Sequence, residues 1–210
     1  MIQQTLQQLL SRKFLFPALL IFALLVIDQC IKVYIKTHFL LGETVPVFGN
    51  WFNLHFIENP GMAYGMKLFD GVWGKLLLTF FRIVVSGFGI WYLYKSIKNG
   101  ANWGLVLAVS LVIAGAIGNI IDSVFYGVIF KDINMYHPTG WFQGWVVDMF
   151  YAPLWQGYLP QWLPFWGGDY FVFFSPIWNF ADACITVGVA TMIIGQNSFF
   201  NKTEMEKAFH

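Results

Sequence analysis

Asp28 and Lys32 stand four residues apart in one apolar run, Asn119 and Asp122 three apart in another, and Asn179 and Asp182 repeat the Asn-x-x-Asp spacing in a third. At 3.6 residues per turn each pair falls on one face of a helix. Asp148 sits in Trp145-Val146-Val147-Asp148-Met149-Phe150, an acid in an otherwise apolar stretch. An ionisable group in such surroundings costs several kcal/mol unless it is paired or hydrated, so these clusters mark the place to look for function. Asp28 with Lys32 reads as a structural ion pair. Asn119 and Asn179 read either as amides gluing helices together or as groups that contact a substrate. The pair suited to chemistry is Asp148 with Asp182, because two carboxylates in one poorly hydrated place cannot both ionise cheaply. One is held protonated and serves as acid while the other serves as base. Such a pair can do acid and base work with no metal and no cofactor. No His-x-x-x-His or Glu-x-x-His pair occurs, and His38, His55, His137 and His210 are dispersed, so no metal site is expected.

The elements that must position these groups are membrane spans. The chain of 210 residues is 58% hydrophobic, 20% aromatic and 11% charged, where a soluble domain carries about 25% charge. Its net charge of +1 leaves no basic excess for a phosphate backbone and argues against nucleic acid as a partner. A bilayer core of about 30 Å needs roughly 20 apolar residues, and four stretches qualify: residues 14–35, 72–94, 102–130 and 173–195. The expectation is an all-α membrane protein, a single domain over residues 1–210. Arg12, Lys13, Lys95, Lys98, Lys202 and Lys207 flank the same ends of these spans, which predicts both termini in the cytoplasm. Residues 36–71 and 131–172 are then outer segments, 196–210 a cytoplasmic tail, and all the polar clusters lie in the outer half of the bilayer. Alternation in residues 51–58 predicts a small extracytoplasmic β element. The aromatic, proline-punctuated residues 141–171 read as a loop at the headgroups that admits substrate or anchors the protein. Arg82 is expected to pair with a neighbouring carbonyl or carboxylate, Lys75 to snorkel to an end, Gly115 and Gly118 to let helices approach closely, and Cys30 to be buried.

Asp28-Gln29, Glu58-Asn59-Pro60-Gly61-Met62-Ala63-Tyr64-Gly65, Gly115-Ala116-Ile117-Gly118-Asn119-Ile120-Ile121-Asp122, Val146-Val147-Asp148-Met149 and Trp178-Asn179-Phe180-Ala181-Asp182-Ala183-Cys184-Ile185 follow one another along the chain. Their order resembles the boxes of the bacterial lipoprotein signal peptidases, also called signal peptidase II. The resemblance spans nearly the whole chain. It implies an inner-membrane aspartyl protease that cuts prolipoproteins before a diacylglyceryl-modified cysteine, acting on lipidated precursors among membrane lipids. It assigns catalysis to Asp148 and Asp182, and substrate-binding or site-supporting roles to Asp28, Asn59, Asn119, Asp122 and Asn179. Lys32, Gly61 and Gly115 lie in or beside the same boxes and join that supporting set. One departure stands out: the family usually has an arginine after the acid of the third box, where this chain has Ser123. The pairing expected of that arginine is then absent or supplied by another cation, with Arg82 and Lys131 as candidates.

The rival class is a small proton-coupled transporter or channel, since acids and amides across helices also form proton relays. Its weakness is that the inner halves of the spans, Arg82 apart, are apolar. A non-catalytic membrane assembly factor is a third reading, in which the acids serve structure only.

Overall fold

The computed structural model describes residues 2–49, 51–60, 72–133, 138–173 and 176–199. Four helices dominate: α1 (Ile2–His38), α2 (Val72–Lys98), α3 (Trp103–Ile129) and α4 (Phe180–Phe199). All four are long and apolar enough to cross a membrane. Helix α3 is the enclosed one. It buries Leu105, Val106, Ala108, Val109 and Ile113 along one half and Gly118, Asn119, Asp122 and Tyr126 along the other. Helices α1 and α2 instead turn Leu15, Phe16, Phe22, Phe80, Phe81 and Phe88 outward, as chains do when hydrocarbon rather than water surrounds them.

Small residues let α3 and α4 touch backbone to backbone. A Cβ built on Gly115 would lie 2.2 Å from the Ala181 carbonyl oxygen, and one on Gly188 would lie 2.6 Å from that of Ala108. Neither obstacle is a flexible side chain, so the helices would have to part. Gly115→Ala is therefore expected to cost about 3 kcal/mol, the upper end of the overpacking range, read as a lower melting temperature of the purified protein. The structural role of Gly115 is this contact. Gly118 likewise makes room for Asp28, whose Oδ2 would be 2.6 Å from an added Cβ.

Among the described residues six strands complete the fold. β1 (Thr44–Phe48), β2 (Phe52–Asn59), β3 (Val146–Tyr151) and β6 (Ile177–Trp178) form one sheet in the order β1-β2-β3-β6, while β4 (Trp155–Tyr158) and β5 (Tyr170–Phe173) pair as a separate hairpin. The expected β element is thus larger than residues 51–58 implied, and the aromatic segment 141–171 is partly strand rather than loop. In β2 the alternation is broken by a register shift between Leu54 and Ile57. A bulge adds one residue to one side of the ladder and so flips the faces beyond it. Asn53 and Phe56 are consequently the buried positions of this strand. Beyond the shift Ile57 pairs with Asp148, Glu58 with Val147 and Asn59 with Val146.

The fourth helix begins at Phe180 rather than Phe173. Apolar residues dominate from β5 through β6 into α4, so hydropathy alone could not find the boundary; Asn179 sets it. Its Oδ1 accepts the Asp182 backbone N–H at 2.9 Å, and Asp182 Oδ2 accepts the Asn179 N–H at 3.4 Å. This reciprocal arrangement is a capping box. The Asn-x-x-Asp spacing in α4 is thus a helix start, whereas the same spacing in α3 lies inside a helix. Cys30, expected to be buried, is exposed on the outer face of α1.

Candidate active site

At the sheet end of the bundle one ammonium organises three helices. Lys32 Nζ lies 2.9 Å from Asp28 Oδ2, 2.8 Å from Asp122 Oδ2 and 2.9 Å from Asn119 Oδ1. Three N–H groups meet three acceptors, which satisfies a charge with no exposed surface at all. Each of the two acids then fixes a different backbone. Asp28 Oδ1 accepts the Ala181 N–H at 3.0 Å, capping the first turn of α4 with negative charge. Asp122 Oδ2 accepts the Val147 N–H at 3.3 Å, holding β3 against α3. The pair Asp28 and Lys32 is therefore more than an intrahelical bridge: it joins α1 to the elements that carry Asp182 and Asp148.

The same geometry explains how Asp122 is served with serine at position 123. Its cation is Lys32, neither Arg82 nor Lys131 being in salt-bridge contact with it. Lys131 is exposed, while Arg82 on α2 acts on Asp182, Asp122 and Asp148 through its charge. Ser123 is itself enclosed and donates to the Asn119 carbonyl at 2.9 Å.

Three asparagines hold the remaining acids. Asn179 Nδ2 donates to Asp148 Oδ1 at 2.6 Å, Asn59 Nδ2 donates to Asp148 Oδ2 at 3.1 Å, and Asn119 Nδ2 donates to Asp182 Oδ1 at 2.8 Å. Asn179 also reaches Asn119 Oδ1 at 3.3 Å. One amide thus bonds Asp148 while its own oxygen caps the turn bearing Asp182. Neither Asp148 nor Asp182 enters an ion pair among the described residues. Asp148 is buried and Asp182 half-buried. Burial pushes the Asp148 carboxyl up to about 7, the charge of Asp182 adds to the rise, and the amides of Asn59 and Asn179 pull against it.

The structure brings together Asp28, Lys32, Asn59, Asn119, Asp122, Asp148, Asn179 and Asp182; Gly115 lies on the same helix as Asn119, and Gly61 is outside the described residues. It adds Gln29 and Tyr126. Gln29 Nε2 donates to Asp122 Oδ1 at 3.0 Å and to Asp28 Oδ2 at 3.1 Å, and its Oε1 accepts from the Tyr126 hydroxyl at 3.0 Å. The spacing of Tyr126, four residues after Asp122 on one helical face, was the signal that could have found it.

Lys75 does not snorkel. It is buried, donates to the Gln143 carbonyl at 3.0 Å and lies 5.4 Å from the Trp145 ring centroid. The turn it holds leads into β3 and is also tied to α3, with Gly140 N–H donating to Gly127 O, Phe142 N–H to Val124 O and Gly144 N–H to Ser123 O. Lys75→Met should cost about 1–3 kcal/mol by orphaning the carbonyl, with the loss localised as faster hydrogen exchange at the Phe142 and Gly144 amides.

The family described as Signal peptidase (SPase) II matches residues 20–198. A lipoprotein signal peptidase of Porphyromonas gingivalis is 50% identical over 187 residues, covering 84% of this chain and 80% of that protein. One of Amoebophilus asiaticus is 39% identical over 177 residues, covering 82% and 74%. A bacterial membrane enzyme solved by the in meso method at 2.3 Å superposes with a TM-score of 0.58 at 25% identity, over 89% of this chain and 92% of that one. These findings give the transporter reading no support. With a family match over most of its length and relatives identical at half of the aligned positions, the chain belongs to the signal peptidase II family.

Proposed function

We infer that this multi-pass membrane protein is an aspartyl endopeptidase, and that it removes signal peptides from diacylglyceryl-modified prolipoproteins by cutting before the lipidated cysteine. The observation that carries the reading is the Asn179 side chain, whose amide nitrogen bonds Asp148 while its oxygen caps the turn that presents Asp182. Burial, with the charge of Asp182, favours the protonated form of Asp148, which supports giving Asp148 the role of acid. The half-buried Asp182 carboxylate takes a proton from water as the oxygen attacks the scissile carbonyl carbon. Asp148 gives its proton to the amine that leaves as the carbon–nitrogen bond breaks. Asn59, Asn119 and Asn179 orient the acids, and Asp28, Lys32 and Asp122 hold the backbones that carry them. Gly61, next to Asn59 and Pro60 in the second box, belongs to the same supporting set. No metal or cofactor enters this scheme.

The distribution of lysine and arginine supports both termini in the cytoplasm and the two sheets outside, with the acids near the outer interface of the inner membrane. There the acyl chains of a lipidated precursor stay in the bilayer while water reaches the scissile amide. The exposed aromatics of the β4–β5 hairpin, Trp155, Tyr158, Tyr170 and Phe171 among them, suit contact with headgroups beside the entry path.

The test is cleavage of a lipidated reporter peptide across a pH series. Asp148 acts in its protonated form, so turnover should fall about tenfold per pH unit once pH rises above about 7. A rate that holds constant to pH 9 would contradict the role given to Asp148.

A further inference from the structure

Far from the acids, two cavities flank the α2–α3 turn and share Ala101. The first, about 400 Å³, is lined by Lys13, Ile97, Asn102, Trp103 and Val106. The second, about 430 Å³, has Lys95, Ser96 and Asn99 toward the helix ends and Phe88, Trp91 and Phe199 among its apolar lining. Lys95 Nζ lies 5.2 Å from the Trp91 ring centroid, so the charge stands at the aromatic wall.

Among the described residues the charge here has no acidic counterpart. Residues 2–27, 83–121 and 183–199 contain no Asp or Glu, yet they contribute Arg12, Lys13, Lys95 and Lys98 to this end of the bundle. Neither Lys13 nor Lys95 joins an ion pair among the described residues. The shape is equally specific. From Asn99 to Phe88 the lining descends roughly 16 Å along α2 at 1.5 Å per residue, from a cation and an amide at the end of a span to rings in its hydrocarbon part. A ligand matched to this needs an anionic head and a long apolar tail. We propose that the grooves on the two sides of the α2–α3 turn form a binding site for an anionic phospholipid of the surrounding membrane, with Lys13 and Lys95 receiving the phosphate and the aromatic lining receiving an acyl chain. Anionic surfaces attract such residues by roughly 1 kcal/mol per lysine, about fivefold in affinity each.

Native mass spectrometry of the full-length protein with phosphatidylglycerol and, in parallel, phosphatidylcholine tests this. The protein should retain phosphatidylglycerol in preference. Lys13→Gln and Lys95→Gln should each weaken that retention about fivefold and the double variant about 25-fold, while Lys131→Gln, at the other end, should leave it unchanged. Glycerol 3-phosphate at equal concentration should not displace the lipid. Equal retention of the two lipids, or undiminished phosphatidylglycerol in the double variant, would overturn the proposal. So would displacement by glycerol 3-phosphate, which would mark a plain phosphate site. Phosphatidylglycerol retention that appears only after residues 200–210 are deleted would also overturn it, by making that segment the occupant.

Discussion

Asp148→Asn and Asp182→Asn are each expected to lower turnover by about 10²–10⁴-fold, the range that positioned proton transfer supplies. An amide can neither accept the proton of the attacking water nor donate one to the leaving amine. Folding should survive. Asp148 is held by two amide donors and Asp182 by one amide and a backbone N–H, and the carbonyl oxygen of an introduced asparagine keeps one of the two acceptor positions in each case. Replacing Asp148 also removes a buried group whose charge the neighbouring Asp182 opposes. Melting temperatures should therefore stay within a few degrees of the parent, and the lipidated reporter should still bind. A loss of activity with unfolding would instead point to a structural role for the acids.

Lys32→Met should do the opposite, acting on stability first. Lys32 touches Asp28, Asp122 and Asn119 with no solvent access, and both acids are buried as well. Removing the one ammonium leaves two uncompensated carboxylates, and breaking a buried pair in this way costs about 3–5 kcal/mol. Because Asp28 caps α4 and Asp122 holds β3, the damage should spread to the placement of both Asp182 and Asp148. Adding Asp122→Asn to Lys32→Met should recover part of the loss, since it neutralises one orphaned charge while keeping an acceptor for the Val147 N–H. Thermal unfolding of the single and combined variants in lipid nanodiscs checks this. A combined variant less stable than Lys32→Met alone would show that Asp122 is not held by that charge.

The parts of this architecture that length and spacing determine were legible in the chain. Four apolar runs gave four helices, and the four-residue step from Asp28 to Lys32 gave the ion pair. What escaped did so for identifiable reasons. Strand β3 buries Val146, Val147, Asp148 and Met149 in succession, so it shows no period-2 alternation to read. The start of α4 hides in a mostly apolar stretch, visible only as a capping box whose two residues equally suit one face of a helix. In β2 the bulge reverses which residues face inward, a shift that only the pairing with β3 determines. Lys75 reads as a snorkelling lysine from its place near a span end, because its partners, the Gln143 carbonyl and the Trp145 ring, lie far along the chain. The pairing of Lys32 with Asp122 could not be read either, because the reach from α1 to α3 is a matter of packing between helices rather than of spacing within one.

The claim that Asp148 and Asp182 act as one unit is tested most directly by turnover of a lipidated reporter measured side by side for the parent, Asp148→Asn, Asp182→Asn and the double variant, each purified free of the parent enzyme. Members of one catalytic unit are grossly non-additive, so the double variant should be no more than a few fold slower than either single one. Substantial cleavage by either single variant, or a double variant slower by the product of the two single effects, would contradict the assignment.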